Sequence, residues 1–327
     1  MAIAVAWRET EIMSTRAQVR WLPDGKRLHM SDGPIDIVLQ AFGTHDQLER
    51  AYRAAANRFE SVLDELCGEL ALLREPIGSG VPASRGTVAR RMFDAVLPHG
   101  KHSFVTPMAA VAGAVAEEIL ASMVAASELR RAYVNDGGDI ALHIGAGESF
   151  SIGMVGRPED RSLFGTMRID AAQPVRGIAT SGWRGRSFSL GIADAVTVLA
   201  RTASMADAAA TIIANAVDLP GHRAITRTPA CELSPDSDLR DRLVTVDVAP
   251  LRSAEIDEAL GWGASCARSL LGEDLIEAAA IHLQGETRVV SRVENRWEDV
   301  HRVLGLKSPA SLHTGSLAAL ESTRSSG

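Results

Sequence analysis

The stretch Thr106-Pro-Met-Ala-Ala-Val-Ala-Gly-Ala-Val-Ala-Glu-Glu118 constrains this chain more than any other. Thr106 followed by Pro107 reads as an N-cap with proline at the first helical position. The pattern predicts a helix from Pro107 to about Arg130. Its first half is small and apolar on every side. Such a helix has no solvent face, so it must be buried or pressed against another backbone. Gly113 and the surrounding alanines permit a close approach, by a neighbouring element or by a flat ligand. Tight core packing is the plainer of these two readings.

Around that helix, apolar spacing sets out the other elements. Thr15–Leu22, Lys26–Met30 and Pro34–Ala41 read as short strands, and His45–Arg74 as a long amphipathic helix. From Tyr133 the pattern turns to glycine-punctuated strands: Tyr133–Val134, Ile140–Ile144, Ser149–Val155, Thr166–Asp170 and Ala193–Ala200. A helix over Met205–Val217, a strand over Leu243–Val248 and a helix over Ser253–Leu271 follow. Ala279–Leu283 and Thr287–Ser291 form a hairpin. Strands and helices fall in separate blocks without strict βαβ alternation, so the fold class is α+β. Residues 1–307 are expected to form one domain, with strands in 15–43 completing its sheet and 308–327 a flexible tail.

The chain has 327 residues, enough for a substantial core, and a net charge of −7, which excludes a general nucleic-acid binder. Cys67, Cys231 and Cys266 are scattered and make no C-x-x-C. That excludes a zinc knuckle or dithiol motif and fits a reducing compartment. The most apolar short run, Met108–Ala116, falls far short of the ~20 residues of a membrane span. Met1–Thr15 lacks the layout of a signal peptide, so the cytoplasm is the expected location and no membrane partner is expected. A homodimer is the default assembly.

Two further stretches carry chemistry. Asn135-Asp-Gly-Gly-Asp139 has paired glycines that expose backbone N–H groups to an anion or a planar heterocycle, or simply close a hairpin. Gly177-Ile-Ala-Thr-Ser-Gly182, Ala193–Ala200 and Ala206-Asp-Ala-Ala-Ala-Thr211 follow. Asp207 and Thr211 share a helix face one turn apart. A carboxylate and a hydroxyl so placed suit a hard cation such as Mg²⁺; as a structural pair, they would be a helix cap and a back-bonded threonine. No dinucleotide loop, Walker A, EF-hand or nucleophile elbow is present.

Taken in order, TPMAAVAGAVAEE, NDGGDI, GIATSG, LGIADAVTVLA and ADAAAT resemble the ApbE superfamily, the FAD:protein FMN transferases, and most specifically its UPF0280 branch. The resemblance spans roughly residues 100–217. It implies an ApbE-like, T-fold-related core of mixed or antiparallel sheet with packed helices. It implies FAD as ligand or substrate and Mg²⁺ on Asp207 and Thr211. Gly137, Gly138 and Asp139 would line the flavin pocket, a loop with Thr180, Ser181 and Gly182 would add contacts, and Gly113 and Glu117 would lie close by. The partners implied are a flavin nucleotide and an acceptor protein whose Thr or Ser hydroxyl attacks the FMN phosphorus.

Two positions depart from the superfamily pattern. Its His-x-x-Asp-Pro segment is replaced by Arg186-Ser-Phe-Ser-Leu-Gly191, and its Lys-Gly pair begins with Ala112. Mg²⁺-dependent flavin transfer is the leading expectation. A non-catalytic flavin or nucleotide binder, and an enzyme of different chemistry on the same fold, stay open beside it.

Overall fold

A computed structural model describes residues 16–78, 84–101, 103–155 and 163–292. Thr15 and the tail expected from Ser308 lie outside them.

Strands β1 (Gln18–Trp21), β2 (Leu28–Asp32) and β3 (Ile35–Phe42) form an antiparallel meander. Ile35, Ile37, Leu39 and Ala41 alternate inward along β3. Helix α1 (His45–Gly68) starts at Thr44, whose N–H donates to Gln47 Oε1 at 2.7 Å. It buries Tyr52, Ala55, Phe59, Val62 and Leu66 at helical spacing. The expected single helix to Arg74 breaks at Glu69, leaving a separate short α2 (Leu70–Leu73). Helix α3 (Thr87–Val96) was not foreseen.

A 3-10 turn over Pro107–Ala110 leads into α4 (Val111–Ala126). The backbone is extended at Ser127, so the helix stops short of Arg130 and β4 (Arg131–Asp136) begins there instead. Strands β5 (Asp139–Ile144), β6 (Ser149–Val155), β7 (Leu163–Asp170), β8 (Gly177–Ser181) and β9 (Ala195–Ala200) follow. Helix α5 (Ala203–Ala216), β10 (Ile225–Pro229), α6 (Ala230–Leu233) and β11 (Leu243–Val248) come next. Helix α7 (Ser253–Gly272), β12 (Ala278–Leu283) and β13 (Glu286–Ser291) complete the order.

Nine strands make one sheet in the order β1-β2-β3-β4-β5-β8-β9-β12-β13. Every neighbouring pair is antiparallel. The α+β expectation holds, and of its two sheet types the antiparallel one is found. Alternation assigns the two faces. Ala132 and Val134 of β4 and Ala141 of β5 join a core built from α1, α3, α4, α5 and α7. Tyr133, Ile140, Leu142 and Ile144 point the other way, where Phe150, Ile152 and Ile169 of the β6–β7 hairpin cover them. Helices thus pack on one face and a two-stranded hairpin on the other.

Pro107–Ala126 is long and apolar enough to cross a membrane, with a mean hydropathy of 1.6, contrary to the shorter apolar run read from the sequence. Its apolar surface is spent on α1, α3, α5, β4 and β5, as in a core helix.

Candidate functional site

The β4–β5 turn sets the first part of the site. Gly137 and Gly138 have φ of +63° and +119°, the positive values a two-residue hairpin loop demands. Asn135 Oδ1 accepts the Gly138 N–H at 2.8 Å. The hairpin reading of this motif is therefore correct, and it has a chemical consequence. The register pairs Asp136 with Asp139, so both side chains leave the sheet on one face. That face is the one carrying the helices, because Asp136 continues the Ala132–Val134 alternation. Asp136 is buried and its Oδ1 accepts the Asp36 N–H at 3.2 Å. Asp139 Oδ1 accepts the Thr180 N–H from β8 at 3.2 Å.

The second part is the crossing of α4 and α5. A Cβ on Gly113 would stand 2.3 Å from the Ala203 carbonyl oxygen, so the two helices touch backbone to backbone there. Each helix satisfies the other's free N-terminal donors. Asp207 of α5 accepts the Gly113 N–H of α4 at 3.0 Å. Glu117 of α4 accepts the Ser204 N–H of α5 at 2.7 Å and the Ser204 hydroxyl at 2.8 Å. The other Glu117 oxygen pairs with Arg91 of α3 at 3.0 Å. Asp207 thus does cap a helix, but the neighbouring one. Glu117, expected near the flavin, is engaged through both oxygens, one holding α5 and the other Arg91 of α3. Truncating it should cost about 1–2 kcal/mol. We expect Glu117→Ala to lower the denaturant midpoint measurably, while Glu117→Gln, which keeps one acceptor for Ser204, loses less.

Electrostatics join the two parts. Burial pushes Asp136 up to about 7, against a stabilising Asp36 N–H and the charge of Arg186. Burial likewise raises Asp207 to about 7, opposed by the Gly113 N–H and helped by the charge on Asp136. Asp139 is raised well above the carboxylate range by burial and then by the charge of Asp207. Three carboxyl groups from two distant stretches therefore crowd one another. In the unfolded chain Asp136 and Asp207 titrate near 3.8. Between about pH 4 and pH 7 the folded protein holds protons that the unfolded chain has released, so stability contributed here is present at low pH and lost as pH rises. Thermal melts without divalent cations should show this fall as pH rises from about 4 through about 7. Millimolar Mg²⁺ or Mn²⁺ at pH 8 should reverse it.

The structure therefore brings Gly113, Asp139, Thr180 and Asp207 together, with Gly137 and Gly138 at the rim. Thr211 lies one turn beyond Asp207 on α5. The stretch expected as a loop through Thr180 and Ser181 is instead strand β8, paired between β5 and β9, with the Thr180 hydroxyl 2.9 Å from that of Thr197. Gly182 follows the strand and serves backbone packing, since a Cβ there would stand 2.5 Å from the Asp194 carbonyl oxygen. Asp194 is structural: it pairs with Arg184 at 2.8 Å and accepts the Gln284 N–H at 2.6 Å. Arg184 in turn stacks on Trp183, 4.3 Å from its ring centre. His143, His222 and His282 contact the Leu129 carbonyl, Glu255 and Thr287, as structural histidines do.

Sequence reasoning passed over Asp136 and Arg186. Asp136 sat inside the quoted turn motif, and the two-residue loop is the signal that aligns it with Asp139. Nothing in the local sequence places Arg186 beside that turn.

The donor set suits Mg²⁺ on chemical grounds. It is all oxygen, it is short of positive charge, and Mg²⁺ takes one or two carboxylates plus substrate oxygens and water in preference to a full protein cage. No group of three His, Cys, Asp or Glu side chains placed to hold a metal ion occurs among the described residues. Asp139 and Asp207, with the Thr211 hydroxyl, are the residues that would hold the ion.

Fold and site together define a class: an antiparallel α+β protein whose carboxylates gather where a glycine hairpin meets the crossing of two small-residue helices. A family model described as "AbpE bacteria" matches residues 19–289, and the chain belongs to that family. Its relatives include a UPF0280 protein of Methanopyrus kandleri, 41% identical over 129 residues, which are 39% of this chain and 48% of the relative. A UPF0280 protein of Methanothrix thermoacetophila is 34% identical over 164 residues, 49% of this chain and 60% of the relative. The chain thus spans about half the length of the curated relatives it matches. The apo flavinyl transferase ApbE of Pseudomonas stutzeri aligns over 90% of this chain and 99% of its own, with 11% identity and a TM-score of 0.46.

Proposed function

We propose that this protein binds FAD together with a divalent cation, Mg²⁺, at the junction of the β4–β5 turn with α4 and α5. The observation that carries the reading is the convergence of Asp139 and Asp207, 68 positions apart, as a crowded carboxylate pair beside the Gly113 backbone. Crowding of this kind is relieved by a cation, and a cation so held attracts phosphate oxygens. Family membership makes the flavin nucleotide the ligand to try first.

In this reading Asp139, Asp207 and Thr211 hold the ion, and Gly138, with open space where a side chain would stand, leaves the rim free for a flat ring. Thr180 fixes Asp139 through its N–H, and Gly113 fixes Asp207. The bound cation would supply charge neutralisation at the diphosphate. Flavin transfer would join an acceptor Ser or Thr oxygen to the FMN phosphorus, break the diphosphate P–O bond and release AMP.

One observation favours a second reading, binding without transfer. Leu190 N–H donates to Asn215 Oδ1 at 2.9 Å, and a Cβ on Gly191 would stand 2.0 Å from the Ala214 carbonyl oxygen. The segment in place of His-x-x-Asp-Pro is thus occupied, at least in part, with packing onto the end of α5.

Titration calorimetry of the flavin-free protein with FAD, with and without Mg²⁺, followed by an AMP assay, separates the readings. Mg²⁺-dependent binding with AMP release supports transferase or pyrophosphatase chemistry. Binding without AMP supports a carrier. No binding under either condition sinks the flavin reading.

A further inference from the structure

Arg186 places its guanidinium beside the turn that joins Asp136 to Asp139. It comes from the β8–β9 connection and lies across the β4–β5 turn. Its Nη1 would be 3.1 Å from a Cβ on Gly137, so the bare glycine is the seat on which the guanidinium rests. Its recorded hydrogen bond is a long one, from Nη2 to the Pro34 carbonyl oxygen at 3.3 Å. It makes no ion pair among the described residues, and the side chain is exposed. A guanidinium carries five donors in a planar fork that matches phosphate oxygens. Here most of that fork is uncommitted and stands over the turn that joins Asp136 to Asp139.

We propose that Arg186 is a phosphate-binding residue of this site, recognising the diphosphate of a nucleotide ligand whose other phosphate contact is the carboxylate-held cation. This rests on the divalent-cation reading above and extends it by naming the group that selects for phosphate. The carboxylates alone would repel a polyanion. The cation and the guanidinium together reverse that sign, and the guanidinium adds the directional contact a lone ion lacks. Gly137 then has two duties, a positive φ and a side-chain-free surface under Arg186.

The test uses inorganic pyrophosphate as probe, so that it does not depend on the flavin. Binding of pyrophosphate at saturating Mn²⁺ is measured by calorimetry for wild type, Arg186→Ala and Arg186→Lys, and Mn²⁺ binding alone by electron paramagnetic resonance. We expect Arg186→Ala to weaken pyrophosphate binding about ten- to hundred-fold, the size of a lost charge-assisted pair of hydrogen bonds. Mn²⁺ binding alone should not weaken. Arg186→Lys should recover part of the loss, because lysine keeps the charge without the fork. Equal pyrophosphate affinity in wild type and Arg186→Ala overturns the proposal, as does a wild type that does not bind pyrophosphate with Mn²⁺. If wild type binds pyrophosphate but not FAD, and Arg186→Ala loses that binding, the flavin reading falls and Arg186 keeps its role. If FAD binds wild type and Arg186→Ala alike, and the variant also binds pyrophosphate normally, Arg186 loses its role and the flavin reading stands.

Discussion

Asp207→Asn should lose divalent-cation binding and yet melt at a higher temperature than wild type at pH 8. The two effects share one cause. In the absence of a cation, the Asp207 charge is held away from water and beside the charge of Asp136; burial first, then that neighbour, pushes its titration up to about 7. Asparagine removes that charge and keeps an oxygen to accept the Gly113 N–H, so the cap on α4 survives. The stability gain should vanish towards pH 4, where the wild-type carboxyl is already protonated. Cation affinity should fall on the order of 100-fold, since even indirect supports of a metal ligand are worth 10- to 100-fold. Mg²⁺-dependent FAD binding should fall with it. Asp207→Ala should show the same loss of binding without the gain in stability, because alanine also strips the cap. If Asp207→Asn binds Mn²⁺ as wild type does, Asp207 is a cap and nothing more.

Gly113→Ala should be among the most damaging single-methyl additions in the protein. An alanine inside a helix ordinarily gains 0.5–1 kcal/mol over glycine. At this position the added Cβ meets the Ala203 carbonyl oxygen at 2.3 Å and the Ser204 nitrogen at 2.7 Å, and neither belongs to a side chain that can swing away. The helices must separate, which breaks both cross-caps. We expect a loss of about 3 kcal/mol, the upper end of overpacking costs, or a fall of roughly 4–5 °C in Tm for a chain of this size. Gly272→Ala, on α7 with open space at its Cβ, is the control and should be near neutral. A Gly113→Ala protein that melts with wild type would show that α4 and α5 do not cross as described.

These two residues also show what a sequence can disclose. The smallness of the Val111–Glu118 stretch announced a backbone contact, and the contact is there. It could not announce the partner, since Ala203 is 90 positions away and carries no mark of its own. Apolar spacing made α7 legible almost to its ends and α1 legible at its start, but it carried α1 on to Arg74, past the break at Glu69. It failed at Gly177–Ser181, where flanking glycines and two hydroxyl residues mimic a loop, and only pairing between β5 and β9 makes a strand. It failed again at α3, which follows a stretch of glycine, serine and proline. The D-x-x-x-T spacing suggested a cation ligand, but the partner carboxylates come from the turn and are visible only once β4, β5 and α5 are stacked. The capping role of Glu117 was hidden for the same reason: a cap is defined by what it touches, and Ser204 is 87 residues on.

The strand order carries a consequence for how the site comes into being. Strand β5 leaves the ribosome with β4 already beside it, but its other neighbour, β8, follows only after the whole β6–β7 hairpin. Until then β5 is a bare edge, with its backbone donors and acceptors open to a stray strand. Asp207 is added later still, with α5. The carboxylate cluster is thus assembled from contacts that are distant along the chain and slow to find. The hairpin that covers the far face of the sheet is synthesised during that wait, so that face of β5 can be covered before its edge is paired.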